Sequence, residues 1–285
     1  MLTSKLEGNR IYNKFRELES KDQPALICYI VGGYPTLEHT EQIASALVKA
    51  GADIIEIGIP FSDPIADGPT IQRASSIALK NGVTPQKCLQ VCGNLRKKFP
   101  DLPLVIMTYS NIVFRAGLEK FMKVSKIQGI DGFILPDMEI AESGAYVKAA
   151  SVHDLATVFL ASPNSDKLRI RQIMKVCSGF LYVVSVYGIT GSRLNYEKYT
   201  FQSIRNIKQI TEGKIPIAVG FGISKPDQIT SLVESGADAV IVGSALIDRI
   251  KVSANNKLLL KDLRTLVKRL KDACLSVRTS KQSDY

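Results

Sequence analysis

Two acidic residues between positions 51 and 75 stand where a negative charge needs an explanation. Glu56 lies in the middle of an apolar run, Ile54–Ile59, and Asp67 follows in the next loop. A buried carboxylate without a partner is costly, so Glu56 should either pair with a cation or take part in chemistry. The seven other strand-like runs contain no lysine or arginine. This favours a proton-transferring acid with a raised pKa, while a core acid paired with a cation remains the alternative.

Asp67 lies in a loop, Phe61–Pro69, that several prolines interrupt. Pro69 suits the first position of a helix, which Asp67 could cap. Gly68, however, already stands at the cap position. We therefore predict that Asp67 is a second functional carboxylate sharing one substrate with Glu56, with helix capping as the alternative.

Glycines recur at the ends of the last two strand-like runs. Gly220-Phe221-Gly222 ends the seventh run, and Gly243-Ser244 ends the eighth, where a helical stretch begins. Bare backbone N–H groups, a hydroxyl group and a helix start suit a phosphate group. Between these runs, the glycine-containing loop 187–193 is long enough to close over a site. The pattern predicts a phosphate site, unless the glycines serve only tight turns.

The chain contains eight strand-like runs, most of them followed by a helix-like stretch. The runs are Leu26–Val31, Ile54–Ile59, Leu104–Tyr109, Gly132–Leu135, Thr157–Ala161, Phe180–Val186, Ile215–Gly220 and Ala239–Gly243. The helix-like stretches include Thr40–Ala50, Thr70–Lys80, Gln86–Lys98, Leu118–Lys126, Asp166–Cys177 and Pro226–Ser235. Alternating elements imply parallel strands, and eight of them predict a closed (β/α)8 TIM barrel with an extra N-terminal helix. An open doubly wound sheet is the alternative.

Such a barrel has its active site at the carboxyl ends of the strands. Alternation along the second strand sends Ile55, Ile57 and Ile59 to one face and Glu56 to the other. The isoleucine face suits packing against the outer helices. We therefore expect Glu56 to point into the barrel mouth.

Composition indicates an ordinary soluble globular protein, with 285 residues, 45% hydrophobic and 22% charged. We expect one domain over residues 1–285, with a polar tail at 276–285. No apolar run approaches the roughly 20 residues of a membrane helix, and the first residues lead into a polar helix, so no membrane contact and a cytoplasmic location are expected. Five cysteines and two isolated histidines offer no ligand set, so no metal is expected.

The net charge of +10 raises the question of a nucleic-acid partner. Much of the excess falls after Asp248, on the predicted solvated face of a last amphipathic helix. No aromatic residues alternate with these charges and no nucleic-acid motif is present, so no nucleic-acid binding is expected.

Six segments together resemble the tryptophan synthase alpha subunit, over about residues 10–275. The segments are GADIIEIGIPFSDPIADGPTIQRAS (51–75), IMTYSN (106–111), GIDGFILPD (129–137), SVYGITG (185–191), VGFGIS (219–224) and DAVIVGSA (238–245). The glutamate strand and the loop to Asp67 are more specific to this family than the features shared by phosphate-binding barrels.

The resemblance implies a lyase of tryptophan biosynthesis that cleaves indole-3-glycerol phosphate to indole and D-glyceraldehyde 3-phosphate by a retro-aldol reaction. It makes Glu56 the general acid/base, Asp67 the acid beside the indole N–H, and Tyr182 the active-site tyrosine. For the phosphate end it implies Thr190, Gly191, Gly220, Gly222, Gly243 and Ser244. Around the indole ring it implies Tyr29, Ile71, Met107, Ile134, Leu160 and Phe221.

The family works with a pyridoxal-phosphate-dependent beta subunit in an α2β2 heterotetramer. The resemblance implies that Phe61–Ala66 and Asn111 face this partner and that this subunit has no cofactor. Two departures stand out: Tyr29 where many members have phenylalanine, and Val186-Tyr187 where smaller residues are frequent.

Three alternatives to this function remain open. The first is another phosphate-binding barrel enzyme, although an indole-glycerol-phosphate synthase would need a lysine at a strand end. The second is a subunit that only activates its partner, and the third is a stand-alone indole-3-glycerol-phosphate lyase.

Overall fold

Eight parallel strands close into a barrel in chain order, with β8 pairing back to β1. The computed structural model describes residues 6–184, 193–220, 222–250 and 256–279. The strands are β1 (Ala25–Val31), β2 (Ile54–Gly58), β3 (Leu104–Met107), β4 (Gly132–Ile134), β5 (Ala156–Ala161), β6 (Leu181–Val184), β7 (Ile217–Gly220) and β8 (Ala239–Val242). The predicted (β/α)8 barrel is confirmed, and the open doubly wound sheet is wrong.

Helices surround the strands and connect their ends. The helices within the described ranges are α1 (Arg10–Ser20), α2 (Leu37–Lys49), α3 (Pro69–Lys80), α4 (Pro85–Lys98), α5 (Ser110–Ala116), α6 (Leu118–Ile127), α7 (Gly144–Val152), α8 (Lys167–Val176), α9 (Arg193–Thr211), α10 (Pro226–Glu234), α11 (Ser244–Ile247) and α12 (Asn256–Thr279), with a short 3-10 helix at Ile140–Glu142. The predicted helices agree with these bounds to within a few residues. Side chains that accept from backbone N–H groups cap several of them, as Thr36, Thr84 and Asp166 do for α2, α4 and α8.

The strands separate two layers of apolar side chains. Ile55 and Ile57 of β2 pack outwards against the helices, in the core that β1 and α2 also share. Ile54 of β2 lies in the second core, inside the barrel, with Val105 of β3. The alternation predicted for β2 is confirmed, so Glu56 lies on the inner face.

Helix α1 covers the amino-terminal end of the barrel. Ile11 and Phe15 are buried among the inward-facing residues, and the Phe15 ring lies 5.9 Å from that of Phe180. The Asn9 side chain accepts from the Ile11 N–H group and donates to the carbonyl oxygens of Asp131 and Asp154, each over 2.9 Å. This helix fills one end of the barrel and leaves the carboxyl end for a ligand.

Helix α12 packs against α2 and α10. Lys271 of this helix forms a 2.7 Å ion pair with Asp53, which also accepts from the Leu26 N–H group at the start of the barrel. The helix continues to Thr279, four residues into the segment 276–285 that the sequence assigned to a polar tail. None of the helices in the described ranges is long and apolar enough to cross a membrane.

Candidate active site

A cavity of about 400 Å³ opens at the carboxyl ends of the strands, opposite α1. Apolar side chains form most of its wall, and a few polar groups interrupt them. The residues predicted from the sequence that line it are Tyr29, Glu56, Asp67, Ile71, Met107, Ile134, Leu160, Tyr182, Gly222, Gly243 and Ser244. Gly220 ends β7 without lining the cavity, and Thr190, Gly191 and Phe221 lie outside the described residues.

Glu56 enters the barrel from the middle of β2, in register with Tyr29 of β1 and Val105 of β3. It is 1% exposed, and its Oε2 atom has no hydrogen-bond partner among the residues that the structure describes. Within the described part of the chain, no lysine or arginine forms an ion pair with it. Burial, and then the charge of Asp67, raise the pKa of Glu56 from 4.5 to about 8. The interpretation of Glu56 as a cation-paired core acid is therefore wrong.

Asp67 lies in the loop between β2 and α3, on the cavity wall. Gly68 is the N-cap of α3 and Pro69 its first residue, and Asp67 makes no capping bond. The Tyr109 hydroxyl group instead donates a hydrogen bond to Asp67 Oδ2 over 3.1 Å. Burial raises the pKa of Asp67 from 3.8 to about 6, and the bond from Tyr109 opposes that rise.

The two carboxyl groups carry different charges at neutral pH. Between pH values of about 6 and about 8, Glu56 holds a proton while Asp67 is ionised. A protonated acid and a carboxylate in one apolar site can divide the work, one transferring a proton and the other stabilising positive charge. The cavity can therefore support acid–base chemistry on a substrate that becomes cationic.

Two tyrosines reach the cavity across glycines of the neighbouring strand. A Cβ atom at Gly58 would stand 2.8 Å from Cζ of Tyr29, and one at Gly220 would stand 2.7 Å from Cζ of Tyr182. Glycine at both positions therefore makes room for a phenol ring. Burial and the two carboxylates raise the pKa of both hydroxyl groups far above the usual range. Both phenols remain protonated and can donate hydrogen bonds.

One side of the cavity presents backbone rather than side chains. Gly222, Gly243 and Ser244 form this side. Gly243 is the N-cap of the short helix α11 and Ser244 is its first residue. The first N–H groups of a helix have no acceptor within it. With a φ of 71° at Gly222, which favours glycine, this side offers close backbone approach and one hydroxyl group.

Sequence reasoning missed Tyr109, because the apolar run Leu104–Tyr109 predicted a strand to its end. Strand β3 ends at Met107, and Tyr109 is the N-cap residue of α5, so its side chain turns to the neighbouring loop. Ile241 also lines the cavity and was missed. Alternation along β8, counted from the inward-facing Ala239, would have found it.

Metal-ligating side chains do not gather at this site or at another place in the described ranges. Among the described residues, no three or more histidine, cysteine or acidic side chains are placed to hold a metal ion together. All five cysteines are buried as free thiols.

Comparison with known proteins places the chain among enzymes with the same barrel. The sequence profile of the tryptophan synthase alpha chain family matches residues 15–275. The tryptophan synthase alpha chain of Aquifex aeolicus is 43% identical over 267 residues, which cover 92% of this chain and 98% of the relative.

Solved structures agree with the sequence match. The structure of tryptophan synthase from M. tuberculosis in its aminoacrylate-bound form contains a chain with a TM-score of 0.82 and 31% identity, and the match covers 93% of this chain and 99% of that one. A chain of the tryptophan synthase complex from Pyrococcus furiosus has a TM-score of 0.78 and 35% identity, covering 87% of this chain and 98% of that one. On this profile match and this identity over most of its length, the protein belongs to the tryptophan synthase alpha chain family.

Proposed function

We propose that this protein is the α subunit of a tryptophan synthase, and that it cleaves indole-3-glycerol phosphate to indole and D-glyceraldehyde 3-phosphate. The observation that carries the proposal is the buried Glu56, which forms no ion pair with any described residue and shares one apolar cavity with Asp67. Family membership supports the same reaction. The alternative phosphate-barrel enzymes have no comparable support.

The indole ring binds in the apolar part of the cavity. The side chains available to contact it are Tyr29, Ile71, Met107, Ile134 and Leu160. A flat bicyclic ring buries large apolar area in such a site, and the tyrosine ring adds an aromatic contact. Phe221, which the family resemblance adds to this set, belongs to the same proposal.

Glu56 moves the protons of the reaction. As the protonated acid at neutral pH, it donates a proton to C3 of the indole ring, which leaves positive charge on the ring nitrogen. The Glu56 carboxylate then takes the proton of the glycerol hydroxyl group. The hydroxyl carbon becomes the aldehyde carbon, the bond to C3 breaks, and its electron pair neutralises the ring. Glu56 is then protonated again, ready for the next turnover.

Asp67 stabilises the cationic ring through the indole N–H group. Its pKa of about 6 keeps it ionised at neutral pH, and an anion next to developing positive charge acts most strongly in a site that excludes water. We assign Tyr182 to the catalytic set as a protonated phenol that contacts the substrate from β6. Neither side chain has to exchange a proton.

The phosphate group binds at the backbone side of the cavity. Gly222, Gly243 and Ser244 support this placement, because free N–H groups and a hydroxyl group suit an anion. Gly220 contributes indirectly, by leaving room for Tyr182. Thr190 and Gly191 complete the set by resemblance alone.

The partner in this proposal is a pyridoxal-phosphate-dependent β subunit in an α2β2 assembly. This chain itself needs no cofactor, because its side chains supply the acid–base steps. The relative from P. furiosus is part of a complex. Two exposed large apolar side chains support a docking surface here: Ile65, 83% exposed in the loop before α3, and Phe114, 49% exposed on α5. Phe61–Ala66 and Asn111 belong to this surface in the proposal.

Indole release from indole-3-glycerol phosphate, with and without a cognate β subunit, tests the function. The isolated chain should turn over slowly, and the β subunit should raise the rate about 5- to 150-fold, the usual range for coupling between sites. Turnover without any complex in sedimentation would favour a stand-alone lyase. No turnover in either assay would contradict the proposal.

A further inference from the structure

Tyr109 contacts the Asp67 loop at three points. Its hydroxyl group accepts from the Ala66 N–H group over 3.0 Å and donates to Asp67 Oδ2 over 3.1 Å. Its ring lies 5.0 Å from that of Phe61, at an interplanar angle of 34°. These contacts join both ends of the loop to one side chain that is 4% exposed.

Tyr109 itself is held by the neighbouring strand. The next residue, Ser110, donates its N–H group to both Asp137 carboxylate oxygens, over 2.9 Å and 3.1 Å. The Ser110 hydroxyl group donates to the same carboxylate over 2.7 Å. Tyr109 therefore stands on a rigid base between the end of β3 and the segment after β4.

The Asp67 backbone is fixed separately from its carboxylate. The Asp67 N–H group donates to the Pro64 carbonyl oxygen over 3.1 Å, and the Gln72 side chain donates to the Asp67 carbonyl oxygen over 2.8 Å. Among the described residues, only Tyr109 forms a hydrogen bond with the carboxylate. The direction of the charged group thus depends on one hydroxyl group.

We infer that Tyr109 is a positioning residue for the reaction, whose hydroxyl group, fixed by Ala66 N–H, directs the Asp67 carboxylate at the cavity wall. The inference rests on the proposed function, which makes Asp67 the stabiliser of the cationic ring. Without this bond the Asp67 carboxylate turns freely about its side-chain torsions. It then points at the substrate in a smaller fraction of the molecules.

Burial has the largest effect on the pKa of Asp67 and raises it, and the bond from Tyr109 lowers it again and so extends the pH range in which Asp67 is charged. The other titratable groups that face Asp67 are Glu56 of β2, Tyr29 of β1 and Tyr182 of β6, all neutral at pH 7. A hydrogen bond to the ionised form lowers a carboxyl pKa, so loss of the hydroxyl group raises the pKa of Asp67 above about 6. Burial, and less strongly the Asp137 charge, raises the pKa of Tyr109, whereas burial and the bond from Tyr109 are the causes of the shift at Asp67.

Tyr109→Phe removes the hydroxyl group and keeps the ring that stacks on Phe61. We expect kcat for cleavage to fall about 10- to 100-fold at pH 7, the range for a lost bond to a charged group, with a smaller change in KM. The acid limb of the kcat profile should move to higher pH while the alkaline limb stays, so the loss should be larger at about pH 6 than at about pH 8. An unshifted acid limb would overturn the inference.

Tyr146→Phe is the matched control. It removes the buried hydroxyl group of α7, which donates to the Phe133 carbonyl oxygen over 3.3 Å outside the cavity lining. This variant should lower the melting temperature without moving either limb of the profile. An equal shift in both variants would mean that Tyr109 acts only through stability.

Asp67→Asn separates failure of this inference from failure of the proposed function. If Asp67→Asn turns over slowly but measurably, and adding Tyr109→Phe lowers that rate no further, the two residues act as one unit. If Asp67→Asn is inactive but Tyr109→Phe behaves as the parent does, only the positioning role is wrong. If Asp67→Asn keeps full activity, the proposed mechanism itself is wrong.

Discussion

Tyr29 of β1 and Tyr182 of β6 both line the cavity at the barrel mouth, and each depends on a glycine in the next strand. The register places Gly58 opposite Val31 and Gly220 opposite Val184, each two residues beyond the tyrosine of the neighbouring strand. The Tyr29 ring also lies 3.0 Å from where a Cβ atom at Gly243 would stand. Glycines that suggest phosphate binding in the sequence therefore also have a steric role.

Gly220→Ala should destabilise the protein by about 1–3 kcal/mol, because the added methyl group collides with the Tyr182 ring in a packed barrel. This outweighs the roughly 0.5–1 kcal/mol that alanine gains over glycine through the unfolded chain. Urea unfolding measures the difference. Gly144→Ala is the control, since a Cβ atom there meets nothing within 4 Å. Equal stability of the two variants would contradict the steric role.

Single residues differ in how well the sequence predicts their roles. Glu56 is predictable, because a carboxylate inside an apolar strand has few explanations and no strand-like run offers a cation. For Asp67, the sequence allowed either a helix-capping role or a chemical role. The structure decides between them, because Gly68 is the N-cap residue of α3. Tyr109 was not predictable, because a tyrosine at the end of an apolar run looks the same whether its side chain continues the strand or turns to a loop.

At the scale of elements, the short helix α11 forms the proposed phosphate side. Gly243 precedes it, and Ser244 starts it at the cavity wall. The existence of strands and helices was predictable from hydrophobic periodicity, whereas their ends were not. The run Phe180–Val186 illustrates this, since β6 begins at Leu181 and its described part ends at Val184.

Ser244→Asp places a negative charge on the proposed phosphate side. Affinity for glycerol 3-phosphate, measured by calorimetry, should fall at least about 30-fold, because like charges in contact cost several kcal/mol. Ser244→Ala separates loss of the hydroxyl group from added charge and should cost much less. Ser151→Asp adds the same charge at an exposed position of α7 and should leave affinity unchanged. Unchanged affinity in Ser244→Asp would place the phosphate elsewhere.

At the scale of the whole molecule, the barrel was predictable because eight alternating elements have few closed arrangements. The cavity was not, since its shape depends on which side chains from different strands meet after closure. Glu56 was found by its residue type, whereas Ile241, an apolar residue in an apolar strand, could be assigned to the cavity only once the inward face of β8 was known. The N-terminal helix was expected, but its burial against the barrel floor depends on the contacts of Ile11 and Phe15.

The whole molecule is destabilised by the charged form of Glu56. The pKa of Glu56 is raised from 4.5 to about 8 in the folded state. The stability that protonated Glu56 contributes is therefore complete below a pH of 4.5, and it is lost as the pH rises through about 8. Glu56→Gln cannot lose this contribution. Relative to the parent, its free energy of unfolding should rise by about 1.4 kcal/mol per pH unit in that window. An unfolding free energy with the same pH dependence in Glu56→Gln and in the parent would contradict this effect of Glu56.

Single-turnover release of indole by Glu56→Gln tests the central claim most directly. Because glutamine keeps the size of the side chain and cannot transfer its proton, the rate at saturating substrate should fall by about 10²- to 10⁴-fold, the usual contribution of general acid–base catalysis. Binding of the substrate should persist, and the variant should be at least as stable as the parent at neutral pH. A stable variant that releases indole at the parent's rate would contradict the role assigned to Glu56.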